Sequence, residues 1–185
     1  MTLWVNIRRQ RLNSTLNIFW TINTMTNLTI NPVLRKYHRQ QQYVAGWQDL
    51  SALFFSGILQ TAESEDGRAF LHMIGENLAR RFPLGDVQTL GELEDGANAV
   101  LSHFGWGIVN IDADEQGINL RHQAWPYATE ADDPELWLAG FSAVLEGCWT
   151  TWMQTQGAMS EFVTFLTYGG ENALNFRCQY KDKEQ

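Results

Sequence analysis

The stretch from Asp133 to Gly157, DPELWLAGFSAVLEGCWTTWMQTQG, constrains this chain most, because it reads as one long helix with a start and a stop. Asp133 suits an N-cap, and Pro134 suits a first helical position, where a missing N–H costs nothing. Glu135 places negative charge in the first turn, where the helix dipole favours it. Leu138, Phe141, Leu145, Cys148, Trp149 and Trp152 recur at three- and four-residue steps, the period of a buried face. Trp137, Val144 and Met153 widen that stripe, and Gly157 suits the residue that closes a helix. A helix apolar around so much of its circumference is either central to its own domain or shared with another copy.

The flanking sequence supplies material to cover it. Gly46 to Ala62 reads as a helix with Leu50, Leu53, Phe54, Ile58 and Leu59 on one face, and Glu63 to Gly67 as a charged turn. Arg68 to Phe82 reads as a second helix, with Phe70, Leu71, Ile74, Leu78 and Phe82 in register and Pro83 ending it. Thr89, with Glu92 three residues on, has the pattern of a capping box. It opens a third helix whose inner stripe is Leu93, Ala97, Val100, Leu101 and Phe104, with Gly105 closing it.

The period then changes to two. Trp106 to Ala113 is apolar on both faces and reads as a buried strand. Ile118 to Ala124 alternates and returns as its hairpin partner. After the long helix, Glu161 to Tyr168 and Ala173 to Tyr180 form a second hairpin about a Gly169-Gly170 turn. The expected fold is a single α+β domain: N-terminal helices, then two antiparallel β-hairpins flanking one long central helix. The domain is expected over 46–180, with a basic, poorly ordered extension over 1–45 and a polar tail over 181–185.

Charge is divided unevenly along the 185 residues. Residues 1–45 carry six basic residues and no acidic one, whereas the remainder has a net charge of −14. So acidic a domain is a poor fit to nucleic acid. The basic arm is either a solvated segment or a contact for an acidic partner or anionic membrane surface. Met25 sits near a composition change and could begin a shorter protein. No apolar run approaches the roughly 20 residues of a membrane span. Leu12 to Met25 is interrupted by Asn13, Asn17 and Asn23, and no small-residue cleavage site follows, which points to the cytoplasm.

Motifs for chemistry are sparse. His38, His72, His103 and His122 have no metal-ligand spacing, and Cys148 and Cys178 read as reduced core thiols. Ser142 lacks a nucleophile elbow, and Gly105-Trp-Gly107 precedes a strand rather than a helix. Asp112/Asp114 and Asp132/Asp133 fall in turns and read as solvated. Glu146 stands out on its apolar helix. A buried carboxylate there needs a partner, through a hydrogen bond or a helix–helix contact. No enzyme, cofactor or metal is expected from these residues.

Trp137 to Trp152 resembles a helix of the D subunit of bacterial cellulose synthase, which carries a V-L-E-G-aromatic pattern followed by Trp and then glycine. Here Cys148 intervenes between Gly147 and Trp149. Gly75 to Phe82 resembles the family's G-x-x-x-A-x-R-F segment, Thr89 to Gly107 its helix ending in a W-G turn, and Phe162 onward its C-terminal strands. The resemblance covers about 46–180 and leaves 1–45 without a counterpart.

It implies a non-catalytic scaffold of cellulose biosynthesis, an octamer built from dimers that organises glucan export into crystalline fibrils. The implied partners are further copies, the cellulose synthase complex, a proline-rich companion protein and glucan chains. Surplus tryptophans and an over-apolar helix also suit repeated contacts between copies. Trp137, Phe141, Leu145, Trp149 and Trp152 are the residues expected at the oligomer interface. Glu146 and Gly147, which match the family motif, are expected there too, fixing helix packing. The alternative is a small-molecule or haem-binding sensor with the fold of nitric-oxide sensors and vesicle tethers, in which His72 or His103 would be the axial ligand.

Overall fold

A computed structural model describes residues 36–37, 40–61, 64–128, 132–158 and 161–180. The expectations for most of the basic extension, for Met25 and for the polar tail lie outside the described residues. Among the described residues, four long helices and four strands follow in order: α1 Trp47–Thr61, α2 Ser64–Arg81, α3 Leu90–Phe104, β1 Ile108–Ala113, β2 Ile118–Gln123, α4 Pro134–Thr155, β3 Phe162–Gly170 and β4 Ala173–Tyr180. The α+β class and the elements around the long helix are those the sequence indicates. Residues 64–67 are an exception. Expected as a turn, they are the first turn of α2, with Glu65 and Asp66 at its positive end.

The two hairpins form one antiparallel sheet in the order β1-β2-β4-β3. The hairpins join where β2 pairs with β4, Leu120 opposite Phe176 and His122 opposite Leu174. Alternation along β2 is strict, with Ile118, Leu120 and His122 buried and Asn119 and Arg121 exposed. The helices cover the face bearing the buried residues, and the polar face is open. β1 is an edge strand rather than a buried one: Val109 is inaccessible while Ile108 is 51% exposed. A two-faced apolar pattern does not tell a central strand from an edge strand with one wet face.

The helix ends behave as the sequence indicates. Asp133 accepts hydrogen bonds from the Glu135 and Leu136 amides, and Pro134 takes the first turn of α4. Thr89 accepts from the Glu92 amide, while the Glu92 carboxylate reaches the Gln88 amide, one residue before the one a standard capping box would use. Gly105 has φ of 68° and Gly157 of 95°, left-handed values that glycine adopts without steric cost.

α4 is the centre of the fold. Every residue from Gly140 to Met153 is buried, because the sheet, α2 and α1 each cover part of its circumference. The segment before α1 is tied to the domain as well. The Gln42 side-chain amide donates to the Ala124 carbonyl and the Tyr43 hydroxyl to Asp49 in the first turn of α1, while Gln48 of α1 itself donates to the Tyr127 carbonyl.

Candidate functional site

The expected interface residues lie on α4, and the structure brings them together inside the protomer. Leu145 and Trp149 have no exposed surface, and Trp152, Phe141, Trp137 and Glu146 have between 1% and 5%. Gly147 is buried with them. A contact with another chain through these side chains would have to open the protomer's own core.

What they do there is specific. Gly147 and Gly75 let α4 and α2 meet backbone to backbone. A Cβ on Gly147 would collide with the His72 carbonyl oxygen, and one on Gly75 with the Val144 carbonyl oxygen. The pair is reciprocal, each glycine accommodating a carbonyl of the other helix. Gly140 admits the Phe55 ring of α1, which packs 5.2 Å from the Trp137 ring. The Trp152 indole donates to the Phe82 carbonyl at the end of α2, and the Trp137 indole to the Pro126 carbonyl. The Trp149 indole N–H is buried without a hydrogen-bond partner and sits edge-on to Trp152 at 5.1 Å.

Glu146 has the partners that a buried carboxylate requires. One oxygen accepts the Leu166 amide of β3 at 2.7 Å, and the other accepts the Arg68 guanidinium of α2 at 2.5 Å. One side chain thereby ties helix, helix and sheet. Four residues further along α4, the Thr150 hydroxyl accepts the Thr164 amide. These two contacts occupy outward-facing amides of β3, an edge strand. The other edge is treated in the same way. Asn98 of α3 both donates to and accepts from the Val109 backbone, and Glu94 accepts the Ile111 amide. Helix side chains thus take up part of the hydrogen-bonding capacity of both edges, which disfavours pairing with another strand.

The remaining titratable groups serve the fold. Arg177 holds Asp114 in a two-pronged ion pair, with Asn119 also bonded to both, and the pair keeps the Asp114 carboxyl well below the usual carboxylate range. Asp114 also accepts the Gln116 and Gly117 amides, which fixes the β1–β2 turn. His122 is fully buried with its Nε2 2.6 Å from the Trp106 carbonyl oxygen, so that nitrogen carries the proton and Nδ1 is left without a partner. Burial lowers its pKa to about 4. Burial pushes both thiols, Cys148 and Cys178, up to about 12, which makes them unreactive. His72 pairs with Glu76 one turn along α2, and His103 packs among Phe82 and Phe104. Among the described residues no group of three metal-binding side chains converges. No described helix is long and apolar enough to cross a membrane.

The surface that sequence reasoning missed is the outer face of α1 and α2. Leu53 is 72% exposed, Trp47 71% and Phe54 58%, with Leu50, Phe70, Met73 and Ile74 each above 40% or close to it. The apolar stripe of α1 therefore points largely outward, and Ala52, Phe55, Ile58 and Leu59 make its inner face. The available signal was that α1 holds a single charged residue, Asp49, in 15, so that either side could face inward. Between the helices lies an open groove lined by Gly57, Ile58, Thr61, Asp66, Gly67 and Phe70.

Fold and site together define a packing protein: a helix-centred α+β domain whose buried polar groups hold elements in place and whose unusual surface is apolar and helical. The family model for the D subunit of cellulose synthase matches residues 33–179. The chain belongs to this cellulose synthase D-subunit family. Cellulose synthase operon protein D of Komagataeibacter xylinus is 34% identical over 97 residues, which is 50% of this chain and 60% of that protein. The protein of the same description from Komagataeibacter sucrofermentans matches equally, at 34% over 97 residues and the same coverage. A second Komagataeibacter xylinus relative is 31% identical over 97 residues. The match thus spans 60% of the length of these curated relatives. The family match begins at residue 33, so the family resemblance reaches into the segment that Gln42 and Tyr43 anchor.

Proposed function

We propose that this protein is a non-catalytic scaffold of bacterial cellulose biosynthesis, assembling into dimers and then an octamer that organises synthase complexes, so that glucan chains emerge as ordered fibrils. The observation that supports assembly is the exposed apolar face of α1 and α2 on a domain whose sheet edges are both partly covered by helix side chains. A monomer rarely carries so large an apolar patch. The most exposed large apolar side chains of the described residues, Leu53 and Trp47, lie on α1. The partners in this reading are further copies, the synthase complex, a proline-rich companion protein and glucan chains, and the location is the cytoplasmic side of the inner membrane. The α4 residues Trp137, Phe141, Leu145, Glu146, Gly147, Trp149 and Trp152 act in assembly by fixing how α1 and α2 are presented.

The test is complementation. A cellulose-producing bacterium without its own protein of this family is given this chain, and the crystalline fraction of its cellulose is measured by diffraction. Restored crystallinity is expected. Cellulose that stays disordered, with the protein expressed and folded, would overturn the reading.

A further inference from the structure

Four residues of the outer α1 face, Trp47, Leu50, Phe54 and Gly57, are spaced by three, four and three positions, a pattern that reads the same in both directions. Two α1 helices laid antiparallel about a two-fold axis near residue 52 would therefore set Trp47 opposite Gly57 and Leu50 opposite Phe54. Large meets small at one pair, and apolar meets apolar at the other. Gly57 has nothing within 4 Å of where its Cβ would be, so the space above it is open. It also borders the open groove between α1 and α2, lined by Ile58, Asp66, Gly67 and Phe70, against which an indole ring can lie.

We infer that the occupant of this groove is Trp47 of a second copy, and that α1 packs antiparallel on α1 in an isologous contact. This rests on the assembly reading above and adds to it the surface, the register and the anchoring side chain. An indole seated on glycine in a desolvated pocket is the form that interface anchors commonly take. Asp66 at the groove's rim offers an acceptor for the indole N–H, which needs one when buried. Area agrees. The exposed fractions of Trp47, Leu50, Leu53, Phe54, Phe70, Met73 and Ile74 amount to between three and four whole large side chains. At about 200 Å² each this is roughly 700 Å² per copy, close to the ~800 Å² that each partner buries in a stable interface. The α1 seam has no charged residue, so a charged partner finds nothing to pair with there.

Two variants test it, with native mass measured by light scattering. Gly57→Glu puts a charge into the groove, and its Cβ meets nothing within 4 Å. It should keep the far-UV spectrum of the wild type and at least halve the mass of the assembly. Leu50→Cys combined with Phe54→Cys, which leaves Trp47 and Gly57 in place, should give a covalent dimer under mild oxidation, whereas neither single variant should. The native thiols are buried and stay silent in this assay. A wild type that is monomeric would overturn this inference together with the assembly reading. An assembled wild type whose mass is unchanged by Gly57→Glu, or whose double-cysteine variant does not cross-link, would overturn this inference alone.

Discussion

Two helix surfaces of this protein are rich in apolar residues, and they meet opposite fates. Where α2 crosses α4, the residues in closest contact are glycines, Gly75 and Gly147, and the surrounding tryptophans are inaccessible. On the outer side of α1 and α2, the large residues Trp47, Leu53 and Phe54 are mostly exposed. The comparison teaches that apolar periodicity marks a surface to be covered and does not say by what. The protomer covers the glycine seam because backbones can approach there. It leaves uncovered the bulky seam, which has the size and shape to meet a second chain.

The difference can be broken most severely at the seam itself. Gly147→Val should be the most damaging single change. Its Cβ meets backbone of α2, which cannot rotate away, so the helices must separate at a cost of about 3 kcal/mol or more. Urea unfolding would show this as a large fall in midpoint, or the variant would fail to fold. A normal midpoint would mean that the two helices do not touch at this point.

Glu146 sharpens the same region. Glu146→Leu removes the acceptor of the Leu166 amide and should destabilise by about 2 kcal/mol, the cost of leaving a buried donor unpaired. Glu146→Gln keeps one acceptor and should cost less. The Arg68 partner is 43% exposed at its side chain, so a double-mutant cycle with Arg68→Ala should find a coupling of only about 1 kcal/mol or less. A coupling several times larger would assign the energy to the ion pair instead of the amide.

His122 adds a pH dependence to the buried region. Its pKa falls from 6.5 to about 4 on folding because burial disfavours the charged ring. Between these values the unfolded chain takes up a proton and the native one does not. Its contribution to stability is therefore undiminished above pH 6.5 and declines as pH falls towards 4, by at most about 1.4 kcal/mol per pH unit. Urea midpoints measured across that window should fall, and His122→Gln should flatten the profile. An equal slope in both proteins would contradict the assignment.

The smallest expected effect on folding stability lies on the outer face. Trp47→Ala removes a side chain that is 71% exposed, and in dilute protein it should change the protomer's unfolding free energy by about 0.5 kcal/mol or less. The contrast with Gly147 is the point. The smaller residue is the one the protomer cannot lose.

Much of this was legible in the sequence. Asp133, Pro134 and Gly157 bound α4 because capping is local chemistry, and β2 and β4 followed from alternation. The membership of Glu146 in a buried network was legible because a carboxylate on an apolar helix requires a partner. Its partners, Arg68 and the Leu166 amide, were not, since they come from elements 78 and 20 positions away. The outward turn of α1 was hidden for a different reason. With one charged residue in the helix, nothing polar marks the wet side, and the choice is made by Phe55 fitting onto Gly140. Nor does the pattern of β1 tell that α3, through Asn98 and Glu94, takes the place of a neighbouring strand.

The most direct test of the division between a core helix and an assembly face is the solution mass of the wild type beside that of Gly57→Glu, each with its far-UV spectrum. The account predicts a discrete oligomer for the wild type and a species of at most half that mass, folded alike, for the variant. A wild type that runs as a monomer, or a variant whose mass is unchanged, would contradict it.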